Sequence, residues 1–145
     1  MENWELVARE QIRDTLHRYN YYGDRGKAAD LAAQFTEDGV LQTRNGRGGQ
    51  GRDGITAFIS GGSSFAPAAD TPISERPLVR HHLSNTLILE ITPERASVVS
   101  YFLRLHRSWP EHWGVYRDVL VPAEGRWLIK ERFVSTDGEM KPPPA

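Results

Sequence analysis

The sequence predicts an α+β domain in which helices come first and an antiparallel sheet follows. Apolar residues recur at helical spacing near the N-terminus, whereas segments rich in β-branched and aromatic residues fill the second half of the chain. Short turn sequences separate those segments. Helices followed by a run of strands are typical of the α+β class. With 145 residues, the chain is long enough for one domain that buries a core and a small pocket.

The first predicted element is an amphipathic helix over roughly residues 4–21. Four apolar or aromatic side chains recur at helical spacing and so share one face. They are Ala8, Ile12, Leu16 and Tyr19. Gly23 is expected to end this helix, since glycine is common at helix C-termini, and Asp24 follows it directly.

Short elements are expected between the first helix and the middle of the chain. A second helix around Leu31 should end before the turn sequence Asp38-Gly39. A strand over Val40–Thr43 and a glycine-rich loop over Asn45–Gly51 follow, and then a short helix around Ile55.

The next segment, Ser60–Pro77, is long and rich in Gly, Ser, Ala and Pro. Loops of this length are often lids or disordered segments. The second half of the chain then predicts four strands with turn sequences between them. Their ranges are Val79–Ile91, Ala96–Ser108, Trp113–Val121 and Trp127–Val134. Several are apolar on both faces, which predicts helices on one side of the sheet and another subunit on the other.

Composition limits the partners that we expect. The formal net charge is −1, from 18 basic and 19 acidic side chains without long runs of one sign, so neither nucleic acid nor a membrane surface is expected as a partner. The absence of cysteine excludes disulfides, thiolate metal sites and cysteine nucleophiles. Because no membrane span or signal peptide is recognisable, we expect a cytoplasmic protein. One domain should span residues 1–136, with a disordered proline-rich tail over residues 137–145.

Two short motifs carry groups suited to proton transfer. Arg18–Asp24 supplies phenols and a carboxylate at the end of the first helix, and Val79–Asn85 supplies His81 and His82 at the start of a strand. Because adjacent strand residues point to opposite faces, only one of these two histidines can face a pocket. The same alternation places His81 on the face that carries Asn85. A neutral imidazole is a suitable base near pH 7. No metal-ligand spacing accompanies the histidines, so no metal is expected.

Over residues 4–134 the chain resembles the SnoaL-like branch of the nuclear-transport-factor-2-like (NTF2-like) superfamily. The matching motifs are Ile12-x6-Tyr19-x4-Asp24, Phe35-Thr-x-Asp38-Gly39, Gly51-x3-Ile55, Arg80-His81-x3-Asn85, and Gly114-x-Tyr116-x-Asp118 followed by Gly125-x-Trp127. The resemblance implies a cone in which N-terminal helices pack on a strongly curved, mostly antiparallel sheet and enclose a pocket.

Within this branch the chain is similar to scytalone dehydratase, bile acid 7α-dehydratase and hexachlorocyclohexane dehydrochlorinase, which are lyases that use an Asp–His pair without a metal. The resemblance implies that His81 is a general base and that Asp24 orients it. It also implies substrate contacts for five further residues, with His106 taking the place of a second pocket histidine despite a different local spacing. These residues are Tyr19, Tyr116, Arg132, His106 and Asn85.

The implied activity is that of a cofactor-independent, dehydratase-like lyase acting on a small hydrophobic cyclic or polyketide-like molecule. An isomerase or cyclase would use the same base, and a non-catalytic ligand-binding or assembly domain is the other alternative. An enzyme should hold Asp24 and His81 within hydrogen-bond reach beside an open apolar cavity, whereas an assembly domain should fill that cavity with side chains. A homo-oligomer, either a dimer or a trimer, is expected in each case.

Each candidate residue also has a structural interpretation. Asp24 could cap the next helix, since aspartate is favoured at helix N-termini. Tyr19 could be a core residue with its hydroxyl hydrogen-bonded. Arg132 could pair with Glu131 or Asp118.

Overall fold

Three helices form the N-terminal part of the protein in the computed structural model, which describes residues 1–61, 72, 78–107 and 109–144. They are α1 (Asn3–Asp24), α2 (Ala28–Ala32) and α3 (Gly51–Ser60). The predicted first helix is confirmed, although it continues through Asp24 because Gly23 is buried within the helix instead of ending it. None of the helices in the described segments is both long and apolar enough to cross a membrane.

A six-stranded mixed sheet packs against these helices. Its strands are β1 (Phe35–Thr43), β2 (Gly48–Gln50), β3 (Val79–Thr92), β4 (Arg95–His106), β5 (Trp109–Ala123) and β6 (Arg126–Glu139). The strand order is β2-β1-β6-β5-β4-β3, and β1 and β6 are parallel while every other neighbouring pair is antiparallel. The sheet is curved and not closed, which confirms the predicted α+β class.

Three strands are several residues longer than the sequence suggested. β1 begins at Phe35 and so includes Asp38-Gly39, which was expected to form a turn. β5 begins at Trp109 because the segment expected to turn there is paired instead, with Pro110 opposite Leu105 of β4. β6 continues to Glu139, where it pairs with His112, so residues 137–139 are strand and not tail. The predicted glycine-rich loop contains β2. The predicted loop Ser60–Pro77 lies almost entirely outside the described residues.

The core lies between α1 and one face of the sheet, which we call the inner face. Ile12 and Leu16 of α1 have no solvent exposure, and they pack with equally buried residues such as Phe35 and Ile129. Burial of large apolar side chains is the main stabilising term of such a core. The Thr15 hydroxyl donates to the Trp127 carbonyl oxygen at 2.5 Å, which ties α1 to β6.

On the opposite face of the sheet, the outer face, none of the helices in the described residues packs. Leu87, Leu89 and Tyr101 are each more than half exposed there. A depression of about 790 Å³ between Leu89, Val119 and their neighbours runs across this face. The outer face is therefore an apolar surface that the described residues leave uncovered.

Candidate active site

Asp24 and His81 are in direct contact although they lie 57 positions apart in the sequence. Oδ1 of Asp24 lies 2.6 Å from Nδ1 of His81, and the backbone N–H of His81 donates to Oδ2 at 2.9 Å. The side chains are only 6% and 16% exposed, respectively. Both carboxylate oxygens therefore hold the same residue, which fixes the imidazole at the start of β3.

This contact selects one tautomer of the imidazole. An ionised carboxylate has no proton to donate, so Asp24 accepts a hydrogen bond from N–H at Nδ1 of His81. The lone pair of a neutral imidazole is then on Nε2. The same arrangement would stabilise the imidazolium if Nε2 took up a proton.

A cavity of about 540 Å³ lies beside His81. Its wall is formed by the end of α1, by α3, by the β1–β2 turn and by the inner face of the sheet. The apolar lining residues are Leu31, Phe58, Ile59 and Val79. The polar lining residues are Tyr19, Asn20, Thr43, Asn45, Arg47, His81, Arg104, His112, Thr136 and Glu139. The cavity is open, but its lining contains more polar residues than the open apolar cavity that we expected for an enzyme from the sequence.

Four of the polar residues form one row across the inner face. His81 on β3 pairs with Arg104 on β4, which pairs with His112 on β5, which pairs with Glu139 on β6. Directly opposite residues on neighbouring antiparallel strands have Cβ atoms about 4.5–5.5 Å apart. A guanidinium therefore lies between two imidazoles on the cavity wall, and the ring of Phe102 lies next to both of them, 6.5 Å from His81 and 5.8 Å from His112.

Arg104 is 8% exposed, and its Nη1 donates to Oε1 of Glu111 at 2.9 Å. Its Nε is buried and has no hydrogen-bond partner among the described residues. The same is true of Nδ2 of Asn20, which lies on α1 one turn before Asp24. A buried donor without a partner is unfavourable, so these two groups are the donors in the cavity wall that most need an acceptor.

His112 is the second imidazole of the cavity. Burial lowers its pKa, and the positive charge of Arg104 lowers it further, while Glu111, whose Oε1 lies 3.9 Å from Nδ1, acts in the opposite sense. His112 is accordingly neutral at pH 7.

Arg132 does not line the cavity. Its Nε and Nη2 donate to Oδ1 and Oδ2 of Asp118 at 2.7 and 2.8 Å, and neither side chain is exposed. Burial alone would lower the pKa of Arg132, but the carboxylate of Asp118 outweighs it and raises that pKa. The guanidinium lies 4.1 Å from the ring centre of Tyr19 and 3.9 Å from that of Tyr116. Of the pairings left open by the sequence, the one with Asp118 is therefore present.

The two tyrosines differ in their access to the cavity. Tyr19 lines it, whereas Tyr116 lies beneath, with its hydroxyl 3.5 Å from Oδ1 of Asn20 and its ring stacked on Phe102. Burial raises the pKa of both phenols, so both are protonated at neutral pH.

The remaining candidates, His106 and Asn85, are not in the cavity lining. His106 ends β4 and packs against Trp109, with ring centres 4.5 Å apart. Asn85 has a φ of 52° at a bulge in β3 and is exposed. The bulge interrupts the alternation that would have placed Asn85 on the same face as His81.

The cavity residues that sequence reasoning missed include Asn20, Arg104 and His112. His112 was hidden because β5 was expected to begin at Trp113. Alternation backward from the buried Tyr116 would have placed His112 on the inner face.

Within the described part of the chain, no group of three or more His, Asp or Glu side chains could hold a metal ion.

A curved mixed sheet covered by N-terminal helices is the fold of the NTF2-like class. The profile of the SnoaL-like domain family matches residues 4–133, and the chain belongs to this family. A candidate scytalone dehydratase from Novosphingobium aromaticivorans is similar at 26% identity with a TM-score of 0.78, covering 100% of this chain and 94% of that chain. A search of the curated proteins finds no match.

Two further solved structures are similar. ActVI-ORFA from Streptomyces coelicolor is 26% identical, with a TM-score of 0.70 and coverage of 88% of this chain and 96% of that chain. An NTF2-like protein with a cystatin-like fold from Novosphingobium aromaticivorans is 23% identical, with a TM-score of 0.77 and coverage of 92% and 85%. The last likeness is one of fold alone.

Proposed function

We propose that this protein is a cofactor-independent lyase that removes water from a small cyclic or polyketide-like molecule. His81 is the general base, and Asp24 orients it. One observation carries the proposal: both oxygens of Asp24 hold His81, at 2.6 Å and 2.9 Å, on the wall of an open cavity. Membership of a family that includes dehydratases and polyketide cyclases supports it.

The chemistry follows from the tautomer of His81. Elimination of water needs a base that takes a proton beside an activating group, and Nε2 of His81 is suited to that role near pH 7. Positioned proton transfer of this kind contributes typically ~10²–10⁴ in rate. The protonated phenol of Tyr19, which also lines the cavity, is a donor for a substrate oxygen.

The cavity favours a particular kind of substrate. Phe58, Ile59 and Leu31 offer apolar surface on one side, and the row on the inner face of the sheet offers polar groups on the other. This wall suits an apolar carbon skeleton that carries oxygen substituents. Its volume of about 540 Å³ is within the range of about 300–1,000 Å³ that is usual for small-molecule sites.

An isomerase or cyclase is the second candidate function, because the same base would generate the same carbanion and only its later fate would differ. A pure assembly domain is disfavoured by the open cavity and by two donors in its wall, Nδ2 of Asn20 and Nε of Arg104, for which the described part of the chain supplies no acceptor.

The test is turnover of a probe substrate by the wild-type protein and by His81→Ala. Scytalone is the first probe, because a similar solved structure is that of a candidate scytalone dehydratase. Loss of one water from the mass of the product identifies dehydration, and an unchanged mass with a new retention time identifies isomerisation. The proposal requires that His81→Ala keeps its circular dichroism spectrum and loses turnover. Equal turnover by the two proteins would exclude His81 as the base.

We further propose that copies of this chain associate through the outer face of the sheet. Leu87, Leu89 and Tyr101 expose apolar surface there, and contiguous exposed apolar patches commonly mark interaction sites.

A further inference from the structure

Arg104 is a buried cation in the wall of the cavity. Its side chain is 10% exposed, and its Nε has no hydrogen-bond partner among the described residues. Burying a charged group is costly unless its hydrogen-bonding capacity is used. An acceptor brought into the cavity by a ligand would remove that cost, so the position favours a ligand that carries a negative or strongly polarised oxygen.

The position of Arg104 beside His81 makes this cation relevant to chemistry. The two residues are direct cross-strand partners on the inner face. Nη1 of Arg104 donates to Oε1 of Glu111 at 2.9 Å, and this ion pair holds the guanidinium at the cavity wall. Nε of Arg104 is left without a partner among the described residues, so it can donate to a further acceptor. Arg132 cannot take this role, because its guanidinium is paired with Asp118 in the core and does not line the cavity.

We propose that Arg104 is a catalytic residue that binds the carbonyl oxygen of the substrate, which is therefore a β-hydroxy ketone or a closely related β-hydroxy carbonyl compound. This inference deepens the proposed function and rests on it. Arg104 stabilises the oxyanion that forms when His81 removes the neighbouring proton, and such stabilisation is often the largest catalytic term.

The step is balanced without an added reagent. Nε2 of His81 takes the proton from the carbon next to the carbonyl, and the C–H electron pair forms the C=C bond of an enolate whose charge lies on the carbonyl oxygen beside Arg104. The carbonyl then reforms as the enolate electrons make a new C=C bond and break the C–O bond at the β carbon. The departing hydroxide takes the proton back from His81, which gives a conjugated ketone and water.

The first experiment uses 4-nitrophenol as a mimic of the enolate, because its phenolate is yellow and its phenol is colourless. Binding to the wild-type protein should shift the spectrum toward phenolate at a fixed pH. Arg104→Gln should weaken phenolate binding by about 10–100-fold, as expected for loss of a charged hydrogen bond. Arg117→Gln, which removes one exposed positive charge from the outer face, is the matched control and should bind as the wild type does.

Arg104→Gln leaves Glu111 without its partner, so a double variant guards against misfolding. Arg104→Gln/Glu111→Gln replaces the ion pair by two amides, and it should lose the colour shift while keeping its melting curve. The proposal is wrong if the wild-type protein binds no phenolate. It is also wrong if Arg104→Gln and Arg104→Gln/Glu111→Gln bind phenolate as tightly as the wild-type protein does.

Binding of the dye does not depend on turnover, so the two proposals fail separately. A wild-type protein that dehydrates a β-hydroxy ketone in a His81-dependent way, with an unchanged kcat in Arg104→Gln, would retain the proposed function and overturn the role of Arg104. The expected result is a kcat lower by about 10²–10³-fold, the usual effect of removing an oxyanion donor.

Discussion

Arg132 and Asp118 form a two-point ion pair that is entirely shielded from solvent, with distances of 2.7 and 2.8 Å. The pair lies under the rings of Tyr19 and Tyr116, which form part of the core below the cavity. A guanidinium held in this way supports the floor of the site and cannot reach a substrate. The resemblance implied a pocket role for Arg132, and the structure supplies a structural one in its place.

Removing one partner of this pair should be severely destabilising. Asp118→Ala would leave the guanidinium of Arg132 buried without a counter-charge, which typically costs about 3–5 kcal/mol. Chemical denaturation should show this as a lower midpoint. The double variant Asp118→Leu/Arg132→Met should recover part of the loss, because a buried ion pair can often be replaced by apolar residues. A single variant as stable as the wild type would show that the pair is dispensable.

Asp24→Asn should impair activity without impairing the fold. An amide oxygen can still accept the backbone N–H of His81, but the NH2 group can donate to Nδ1 and favour the tautomer with its proton on Nε2. The base would then be blocked, and in a catalytic triad the same kind of change lowers kcat by about 10⁴. We expect a large loss of kcat with a nearly unchanged melting temperature. Asp38→Asn is the control, because the side chain of Asp38 is 74% exposed. This substitution should change neither kcat nor the melting temperature appreciably.

His112 should contribute to the pH dependence of stability. Its pKa is lower in the folded protein than in the unfolded chain, where it is near 6.5. Below about pH 6.5 the unfolded chain binds more protons at this group, so the free energy of unfolding falls as the pH falls through this window. The charged and titratable groups that face it are Arg104, Glu111, His81 and Glu139.

Thermal melts of wild type and His112→Gln between pH 7 and pH 5 would measure this contribution. The variant should lose less stability than the wild type as the pH falls. His82→Gln is the matched control, because His82 is exposed on β3 and should keep the wild-type slope. Parallel curves for wild type and His112→Gln would contradict the assignment.

Gly114 on β5 and Gly54 in α3 differ in how well they should tolerate a side chain. A Cβ at residue 114 would overlap the backbone carbonyl oxygen of Ser135 on β6, so Gly114→Ala should destabilise the protein by about 1–3 kcal/mol or more. Gly54→Ala has its nearest contact at 3.7 Å and lies within a helix. It should stabilise the protein by roughly 0.5–1 kcal/mol. Equal denaturation midpoints for the two variants would contradict this contrast.

Association through the outer face should depend on its exposed leucines. Leu89→Glu places a charge in the apolar patch and should lower the mass measured by size-exclusion chromatography with light scattering. Leu6→Glu is the control, because Leu6 is exposed to a similar degree, 52% against 59%, but lies on α1. A wild-type protein that is monomeric would remove the basis for the outer-face interface.

The order of elements and the Asp24–His81 pair were accessible from the sequence, because periodicity marks the helix and the strands, and because motif position marks the pair. The three-dimensional partners of the arginines were not. Arg132 and Arg104 both lie on inner-face positions of strands. Only packing decides that Asp118 pairs with Arg132, while Nε of Arg104 has no partner in the segments that the structure describes. Local backbone irregularity also escapes a period-two pattern, as the bulge at Asn85 illustrates.

The parallel pairing of β1 with β6 has a consequence for how the protein is made. The last strand of the sheet lies beside the first long one, and Thr15 is bonded to a carbonyl 112 positions away. The apolar face of α1 therefore has no complete partner until β6 has left the ribosome. Chains whose contacts are so distant in sequence fold slowly, and they expose apolar surface until folding is complete. Nascent chains of this protein should accordingly depend on chaperones until synthesis of the sheet is complete.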